Sequence, residues 1–223
     1  NNFFQNKYIL FISNSILIIN RSPISMKKLK AIAVIQARMS STRLPGKVML
    51  ELSGKPMIWH IVDRLRLCQQ LDKIIVATSR LPSDDELVDF CQSSGIEIFR
   101  GNLENVLSRY TKCMEIYPSK YIVRVTGDCP LISPKFIDLQ IKILDDYNSD
   151  LIWLNKNVNI LDGQAVYSSK LLEIIKNNCN SKEDLEHVGS LYISNNPEQF
   201  KIIDLEPDEA ILKLNYRFSI DEL

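Results

Sequence analysis

Six side chains that can bind an anion are concentrated between residues 38 and 47. Three of them are cations and three carry hydroxyls: Arg38, Ser40, Ser41, Thr42, Arg43 and Lys47. A Pro-Gly pair at 45–46 predicts a turn in the same segment. Because positive charge, hydroxyls and backbone N–H groups together bind phosphate oxygens, the segment predicts a cradle for a polyphosphate. It matches neither the Gly-x-x-x-x-Gly-Lys-Ser/Thr motif nor the Gly-x-Gly-x-x-Gly motif.

A second candidate for chemistry is Asp128, which follows Gly127 at the end of an apolar run over 121–126. A carboxylate in that position can hold a hard cation such as Mg²⁺ through oxygen. The neighbouring glycine lets a ligand approach the backbone closely. Taken alone, the same pair is equally compatible with a simple turn ahead of a helix.

The segments around these residues alternate between strand and helix patterns. Apolar runs predict strands at 32–35, 73–78, 97–99, 121–126, 150–154, 200–205 and 216–221. Helical spacing of apolar residues predicts helices in the intervals, and Ser83, Ser133 and Ser181 are their expected N-terminal caps. The alternation predicts an α/β fold with a mostly parallel sheet, in which the strands deliver their following loops to one edge.

Length and composition favour a single α/β domain and disfavour a nucleic-acid-binding, disulfide-linked or zinc-binding protein. A chain of 223 residues is long enough for one large α/β domain. Lysine plus arginine equals aspartate plus glutamate at 27 each, so the net charge does not favour nucleic acid as a partner. The five cysteines are odd in number and contain no Cys-x-x-Cys pair, so neither a disulfide framework nor a zinc site is expected. This composition favours a reducing, cytoplasmic location.

Residues 1–25 differ from the rest of the chain. They do not begin with methionine, and their apolar run over 8–19 is interrupted by polar residues at 13–15. The run is too short for a membrane span, and a signal peptide's basic start and cleavage site are not evident. Met26-Lys27-Lys28 is typical of a native start. We therefore expect a non-native or disordered extension over 1–25, with a membrane anchor or an amphipathic helix as the alternative.

Four segments resemble the cytidylyltransferase family that activates acidic sugars, and the resemblance extends from residue 30 to residue 221. Ile-Gln-Ala-Arg-x-x-Ser-Thr-Arg-Leu-Pro-Gly-Lys at 35–47 resembles the family's opening signature. Thr-Gly-Asp-Cys-Pro-Leu at 126–131 resembles its second motif, and Glu186-His187-Val188 resembles a later element. Ser-Ile-Asp at 219–221 resembles its closing strand. The chain is most similar to the branch that makes spore-coat polysaccharide, and other relatives act on acylneuraminate and 3-deoxy-manno-octulosonate.

This resemblance implies a Rossmann-like three-layer sandwich of the nucleotide-diphospho-sugar transferase type. It also implies transfer of CMP from CTP to a sugar acid. The catalytic residues would be Arg38, Lys47 and Asp128. The nucleotide would contact Ala37, Arg38, Ser40, Ser41, Thr42, Arg43, Gly46, Lys47, Ala77, Thr78, Thr126 and Gly127. Asp128 and Asp221 would bind Mg²⁺, and Glu186 and His187 would face the acceptor. Relatives dimerise and continue into a terminal helix, so a homodimer is expected, and residues 26–223 are expected to be one domain truncated at its end.

One segment departs from the family pattern. Residues 162–167 read Asp-Gly-Gln-Ala-Val-Tyr where close relatives carry Gly-x-Asp-x-Glu. The family's acceptor-sugar contacts in this segment are therefore the part of the resemblance that applies least to this chain. Two alternatives remain open from the residues. One is a UTP- or GTP-using sugar-nucleotide pyrophosphorylase, and the other is a non-catalytic nucleotide sensor. His60 lies among apolar neighbours of a predicted helix and is expected to be structural.

Overall fold

A computed structural model of the protein describes residues 7–12, 15–20, 29–154, 163–206 and 219–220. The strands are β1 (Lys7–Ile12), β2 (Ser15–Asn20), β3 (Leu29–Gln36), β4 (Glu51–Leu52), β5 (Lys55–Pro56), β6 (Lys73–Ser79), β7 (Glu97–Gly101), β8 (Ser119–Thr126), β9 (Leu151–Leu154), β10 (Gln164–Ser168) and β11 (Ile202–Leu205). The helices are α1 (Met57–Leu65), α2 (Asp85–Ser93), α3 (Val106–Ile116), α4 (Pro134–Tyr147), α5 (Ser169–Asn178), α6 (Lys182–His187) and α7 (Ser190–Asn195).

A sheet of seven strands in the order β11-β9-β10-β8-β3-β6-β7 forms the centre of the fold. Within it β10 runs antiparallel to β8 and β9, and the other neighbouring pairs are parallel. Gln36 at the end of β3 stands opposite Ala77 of β6 and Thr126 of β8. The predicted mostly parallel mixed sheet is therefore confirmed, and three of its strands end side by side at one edge.

Both faces of the sheet are covered by helices. Along β3, Ala33 and Ile35 face the apolar residues of α1, α2 and α4, while Ile32 and Val34 face those of α3 and α5. All four of these side chains are fully buried. Full burial of a large aliphatic side chain stabilises the fold by about 1.5–3 kcal/mol, which explains why this strand is continuously apolar. The three-layer α/β architecture is confirmed.

The N-terminal segment contains structure that was not predicted. β1 and β2 pair with each other as an antiparallel hairpin in a two-stranded sheet. The predicted closing strand at 216–221 lies outside the described residues except for 219–220. Across the described ranges, no helix combines the length and apolar composition that a membrane span requires.

Two of the three predicted helix caps are present. The hydroxyl oxygens of Ser133 and Ser181 accept hydrogen bonds from the backbone N–H groups of Phe136 and Asp184, at 3.3 and 3.0 Å. The cap predicted at Ser83 is wrong, because Ser83 lies inside a 3₁₀ turn, Pro82–Asp84, that precedes α2. Asp84 occupies the N-cap position, but its carboxylate makes no cap hydrogen bond and faces the protein interior instead.

Candidate functional site

A cleft of about 270 Å³ opens at the sheet edge where β3 and β8 end. It is lined by Gln36, Ala37, Arg38, Ser41, Thr42, Arg43, Lys47, Val48, Val106, Arg109, Arg124, Thr126, Gly127, Asp128, Glu186 and His187. Parallel strands place their C-terminal ends together, and the predicted motifs at 35–47 and 126–131 therefore share one wall. His60 lies elsewhere, with its Nε2 atom 2.7 Å from the Leu52 carbonyl oxygen, in a structural contact.

The cationic loop is held as a closed turn. The backbone N–H of Gly46 donates to the carbonyl oxygen of Met39 at 2.8 Å, which joins the two ends of the loop. Gly46 has a φ of 72°, a left-handed conformation that glycine adopts without the steric cost of a Cβ atom. Arg43, exposed at the tip, and the half-buried Lys47 both line the cleft. Ser40, by contrast, is exposed and is not part of the cleft wall.

Lys47 and Asp128 form an ion pair on the cleft wall, with the Lys47 Nζ atom 2.8 Å from Asp128 Oδ2. Burial opposes ionisation of the Asp128 carboxyl. Hydrogen bonds from Lys47 and Thr126, together with the charge of Lys47, outweigh that effect and hold its pKa below the usual value. The carboxylate is therefore ionised at neutral pH.

The end of the described chain also reaches this pair. The Ile220 backbone N–H donates to the carbonyl oxygen of Asp128 at 2.8 Å, and Lys47 Nζ donates to the Ile220 carbonyl oxygen at 3.3 Å. Asp221, the predicted second metal ligand, lies outside the described residues. Its neighbour Ile220 is the residue that contacts Asp128 and Lys47.

Gly127 allows β8 to continue beside the end of β3. Its N–H donates to the Gln36 carbonyl oxygen at 2.9 Å. A Cβ atom at this position would lie 2.8 Å from that oxygen and 3.2 Å from the Cβ atom of Ala37. The glycine is therefore required by a close backbone approach, and it also keeps this part of the cleft open.

The two β6 residues predicted to contact nucleotide are buried below the cleft. Ala77 and Thr78 are fully buried, and neither is part of the cleft wall. The Ala77 carbonyl oxygen accepts hydrogen bonds from the Ala37 N–H at 3.2 Å and from Arg109 Nη1 at 3.1 Å. The Thr78 hydroxyl donates to Asp84 at 2.9 Å. In this structure both residues support the loop from below.

Two arginines that the sequence analysis did not single out line the same cleft. Arg109, on α3, is only 2% exposed, and burial lowers its pKa. Arg124 lies on β8, and the Nε atoms of both arginines are buried without a hydrogen-bond partner. A signal was available in each case, because Arg124 interrupts the apolar run of β8 and Arg109 lies within the apolar spacing of α3. Buried guanidinium groups of this kind are costly unless an anion or a water molecule binds them.

The predicted acceptor-side residues lie on α6, and both line the cleft. Glu186 Oε1 is 3.7 Å from an Nη2 atom of Arg38, and His187 is exposed at the cleft rim. The Ser181 cap starts this helix, and Val188, in a left-handed conformation with φ of 55°, ends it. Gln164, in the segment that departs from the family pattern, accepts a hydrogen bond from the Ser133 N–H at 3.0 Å and is not part of the cleft wall.

The charges of the cleft favour an anionic ligand. Five cationic side chains and two carboxylates line it, and the carboxylates belong to Asp128 and Glu186. Within the described ranges, no group of three or more His, Cys, Asp or Glu side chains gathers to hold a metal ion. Asp128 alone nevertheless fits Mg²⁺, because this ion commonly binds one or two protein carboxylates and takes its other ligands from phosphates and water.

Comparison with known proteins identifies the family of the chain. The sequence model of the cytidylyltransferase family matches residues 32–221. The spore coat polysaccharide biosynthesis protein SpsF of Bacillus subtilis is 36% identical to this chain. The match covers 84% of this chain and 80% of the length of SpsF. The 3-deoxy-manno-octulosonate cytidylyltransferase of Pelobacter propionicus is 32% identical, and the match covers 62% of this chain and 60% of the length of that enzyme. The solved structure of a cytidylyltransferase from Leptospira borgpetersenii superposes with a TM-score of 0.78 at 28% identity, covering 86% of this chain and 82% of that one.

Proposed function

This chain belongs to the cytidylyltransferase family, and we propose that it couples a sugar acid to CTP, forming a CMP-sugar and releasing pyrophosphate. Its activity is that of a nucleotidyltransferase. The names of two relatives support the acceptor class, because one acts in spore coat polysaccharide synthesis and the other on 3-deoxy-manno-octulosonate. We infer that the product serves the synthesis of a surface polysaccharide.

One observation carries this proposal: a single cleft joins the cationic loop, the Asp128 carboxylate and the α6 side chains. Nucleotidyl transfer needs a place for a triphosphate, a place for an acceptor and a carboxylate for a cation between them. Arg43 and Lys47 flank the 45–46 turn and would bind the β- and γ-phosphates, with Arg38 beside them. Glu186 and His187, on α6, would contact the acceptor.

We place Mg²⁺ at Asp128, with Asp221 as the second carboxylate. The ionised state of Asp128 and its place on the cleft wall support this assignment. When bound, magnesium would neutralise phosphate charge and act as a Lewis acid. Lys47, beside Asp128, would bind a phosphate oxygen of the nucleotide.

The reaction itself requires alignment more than covalent chemistry by the protein. A hydroxyl oxygen of the sugar forms a bond to the α-phosphorus, and the bond between that phosphorus and the bridging oxygen to the β-phosphorus breaks. The electron pair leaves with pyrophosphate, and the hydroxyl proton passes to solvent or to a base at the α6 side. Arg38, Arg43 and Lys47 stabilise the negative charge that grows on the leaving pyrophosphate.

The test is a pyrophosphate-release assay with CTP, UTP, GTP or ATP and a panel of sugar acids, followed by mass spectrometry of the product. We expect release with CTP and a sugar acid, and a product mass that corresponds to the CMP-sugar. Asp128→Asn should lower turnover by about 100- to 1000-fold while CTP still binds. Asp204→Asn is the matched control, because Asp204 is an exposed aspartate on β11 outside the cleft wall. Release with UTP or GTP in preference to CTP would contradict the proposal.

A further inference from the structure

The carboxylate of Asp84 is buried beneath the cationic loop. Asp84 is fully buried, although aspartate is rarely found without solvent exposure unless its oxygens are paired. Its Oδ1 atom accepts the backbone N–H of Met39 at 2.7 Å. Its Oδ2 atom accepts the Thr78 hydroxyl at 2.9 Å and the Ser79 N–H at 3.0 Å, as well as the Ser79 hydroxyl in a short contact. The carboxylate is thus satisfied on both oxygens.

These contacts join the cationic loop to the turn between β6 and α2, 45 positions further along the chain. Asp84 itself ends the 3₁₀ turn before α2, Thr78 and Ser79 end β6, and Met39 begins the loop directly after Arg38. The Met39 carbonyl oxygen accepts the N–H of Gly46, so this residue is held through both of its peptide groups. The Asp84 contact therefore fixes the point at which the loop leaves the sheet, next to the first cation of the cleft.

The arrangement is costly for the helix that Asp84 begins. An aspartate at an N-cap normally accepts a hydrogen bond from the first turn of its own helix. Here that bond is absent, because both oxygens are directed to β6 and to the loop. Burial by itself would raise the pKa of Asp84, but the hydrogen bonds from Ser79, Met39 and Thr78 outweigh burial and lower it. An ionised carboxylate makes the strongest acceptor for a backbone N–H.

We propose that Asp84 is a positioning residue for nucleotidyl transfer, whose carboxylate holds the Met39 N–H and so sets Arg38 and the loop in place for the triphosphate. Asp84 is not part of the cleft wall, and it acts through the loop. This inference rests on the proposed function, because it assigns the triphosphate to the loop. It adds a residue that neither the family motifs quoted above nor the cleft wall includes.

The test compares Asp84→Asn and Asp84→Ala with the control variant Asp150→Asn. An asparagine at 84 keeps the shape but offers one acceptor oxygen, so it can accept from Met39 or from Ser79 and not from both. Asp150 is a matched control because it is also buried, at 4% exposure, with each oxygen hydrogen-bonded. Its partners are the Ser168 hydroxyl at 2.6 Å and the Lys201 N–H at 3.0 Å, and it lies outside the cleft wall.

The first readout is the KM for CTP and the Kd for CTP and for cytidine, measured where every variant is folded. Losing one buried hydrogen bond to a charged group typically changes an equilibrium by about tenfold or more. Asp84→Ala should therefore raise the KM and Kd for CTP by about tenfold, with little change in cytidine binding, because cytidine lacks the phosphates. Asp84→Asn should raise them only if its oxygen no longer accepts from Met39. Asp150→Asn should lower the unfolding temperature without changing either constant.

The second readout is the hydrogen exchange rate of the Met39 amide, which needs no substrate. Exchange should be faster in Asp84→Ala, which offers Met39 no acceptor, and unchanged in Asp150→Asn. In Asp84→Asn it should be faster only if the single amide oxygen binds Ser79 instead of Met39. Unchanged Met39 exchange in Asp84→Ala would overturn the proposal, as would equal weakening of CTP and cytidine. Failure of both Asp84 variants to fold, with Asp150→Asn folded, would also overturn it in favour of a purely structural role. If the unaltered chain neither binds CTP nor releases pyrophosphate, the proposed function fails, and the Met39 exchange rate still decides whether Asp84 holds the loop.

Discussion

The ion pair between Lys47 and Asp128 gives a prediction that needs no substrate. The Lys47 Nζ atom lies 2.8 Å from Asp128 Oδ2, and the two side chains are 11% and 23% exposed, respectively. Lys47→Met keeps most of the apolar stem and removes the charge. It leaves a largely buried carboxylate without its ammonium partner, and we therefore expect the variant to be less stable than the unaltered chain at neutral pH.

The magnitude follows from the burial of the pair. A hydrogen bond to a charged group contributes about 1.5–3 kcal/mol, and breaking a fully buried ion pair costs about 3–5 kcal/mol. Because both side chains are partly exposed, we expect loss of this ion pair to lower the free energy of unfolding by about 2–3 kcal/mol. For a protein of this size, 1 kcal/mol corresponds to about 2–4 °C in Tm. Lys47→Met should therefore lower Tm by roughly 4–12 °C.

The effect should depend on pH in a defined direction. The folded pKa of Asp128 is lowered, so its stabilising contribution is present above the unfolded pKa of about 3.9 and is lost as pH falls through the folded value. In Lys47→Met burial is no longer opposed by the ammonium group, so the carboxyl takes up a proton at higher pH. The stability difference between the two proteins should therefore be largest near neutral pH and shrink below about pH 4.

A double-mutant cycle in urea isolates the pair from other contacts of Lys47. It uses Lys47→Met, Asp128→Asn and the double variant. The double variant has no uncompensated carboxylate and should be more stable than Lys47→Met alone, with a coupling energy of about 1.5–3 kcal/mol. A coupling energy below about 0.5 kcal/mol, or a stability difference that stays constant as the pH falls from neutral to well below about 4, would refute the reasoning.

Three further predictions follow from single contacts. Gly127→Ala would place a Cβ atom 2.8 Å from the Gln36 carbonyl oxygen, so it should lower the free energy of unfolding in urea by about 1–3 kcal/mol; an unchanged value would mean that the strand ends separate easily. Glu186→Gln removes the carboxylate 3.7 Å from Arg38 and should tighten CTP binding by up to about fivefold in calorimetry, since the pair is partly exposed, whereas weaker binding would show that Glu186 itself holds the ligand. A chain beginning at Met26 should keep the Tm of the full chain, because β1 and β2 pair with each other in their own sheet, and a loss of many degrees would show that the hairpin stabilises the domain.

The amino-acid sequence by itself determined the framework of the site. Continuous apolar runs identified β3, β6 and β8, because strands covered by helices on both faces have no solvent-facing side. Their alternation with helices indicated that these strands are parallel, and parallel strands end at the same edge of a sheet. From that reasoning alone, the cationic loop and Asp128 could be assigned to the same cleft, and the structure brings Lys47 and Asp128 into direct contact.

The tertiary structure decided which partner each polar side chain takes. Asp84 sits where local rules predict a helix cap, but oxygens that could cap α2 bind Met39 and the end of β6 instead. Arg109 lies among apolar positions of α3, and only the packed fold shows that this position borders a cleft. Periodicity and capping are properties of neighbouring residues, whereas the bond between Asp84 and Met39 joins residues 45 positions apart. The geometry of this bond exists only after the sheet has brought its strand ends together.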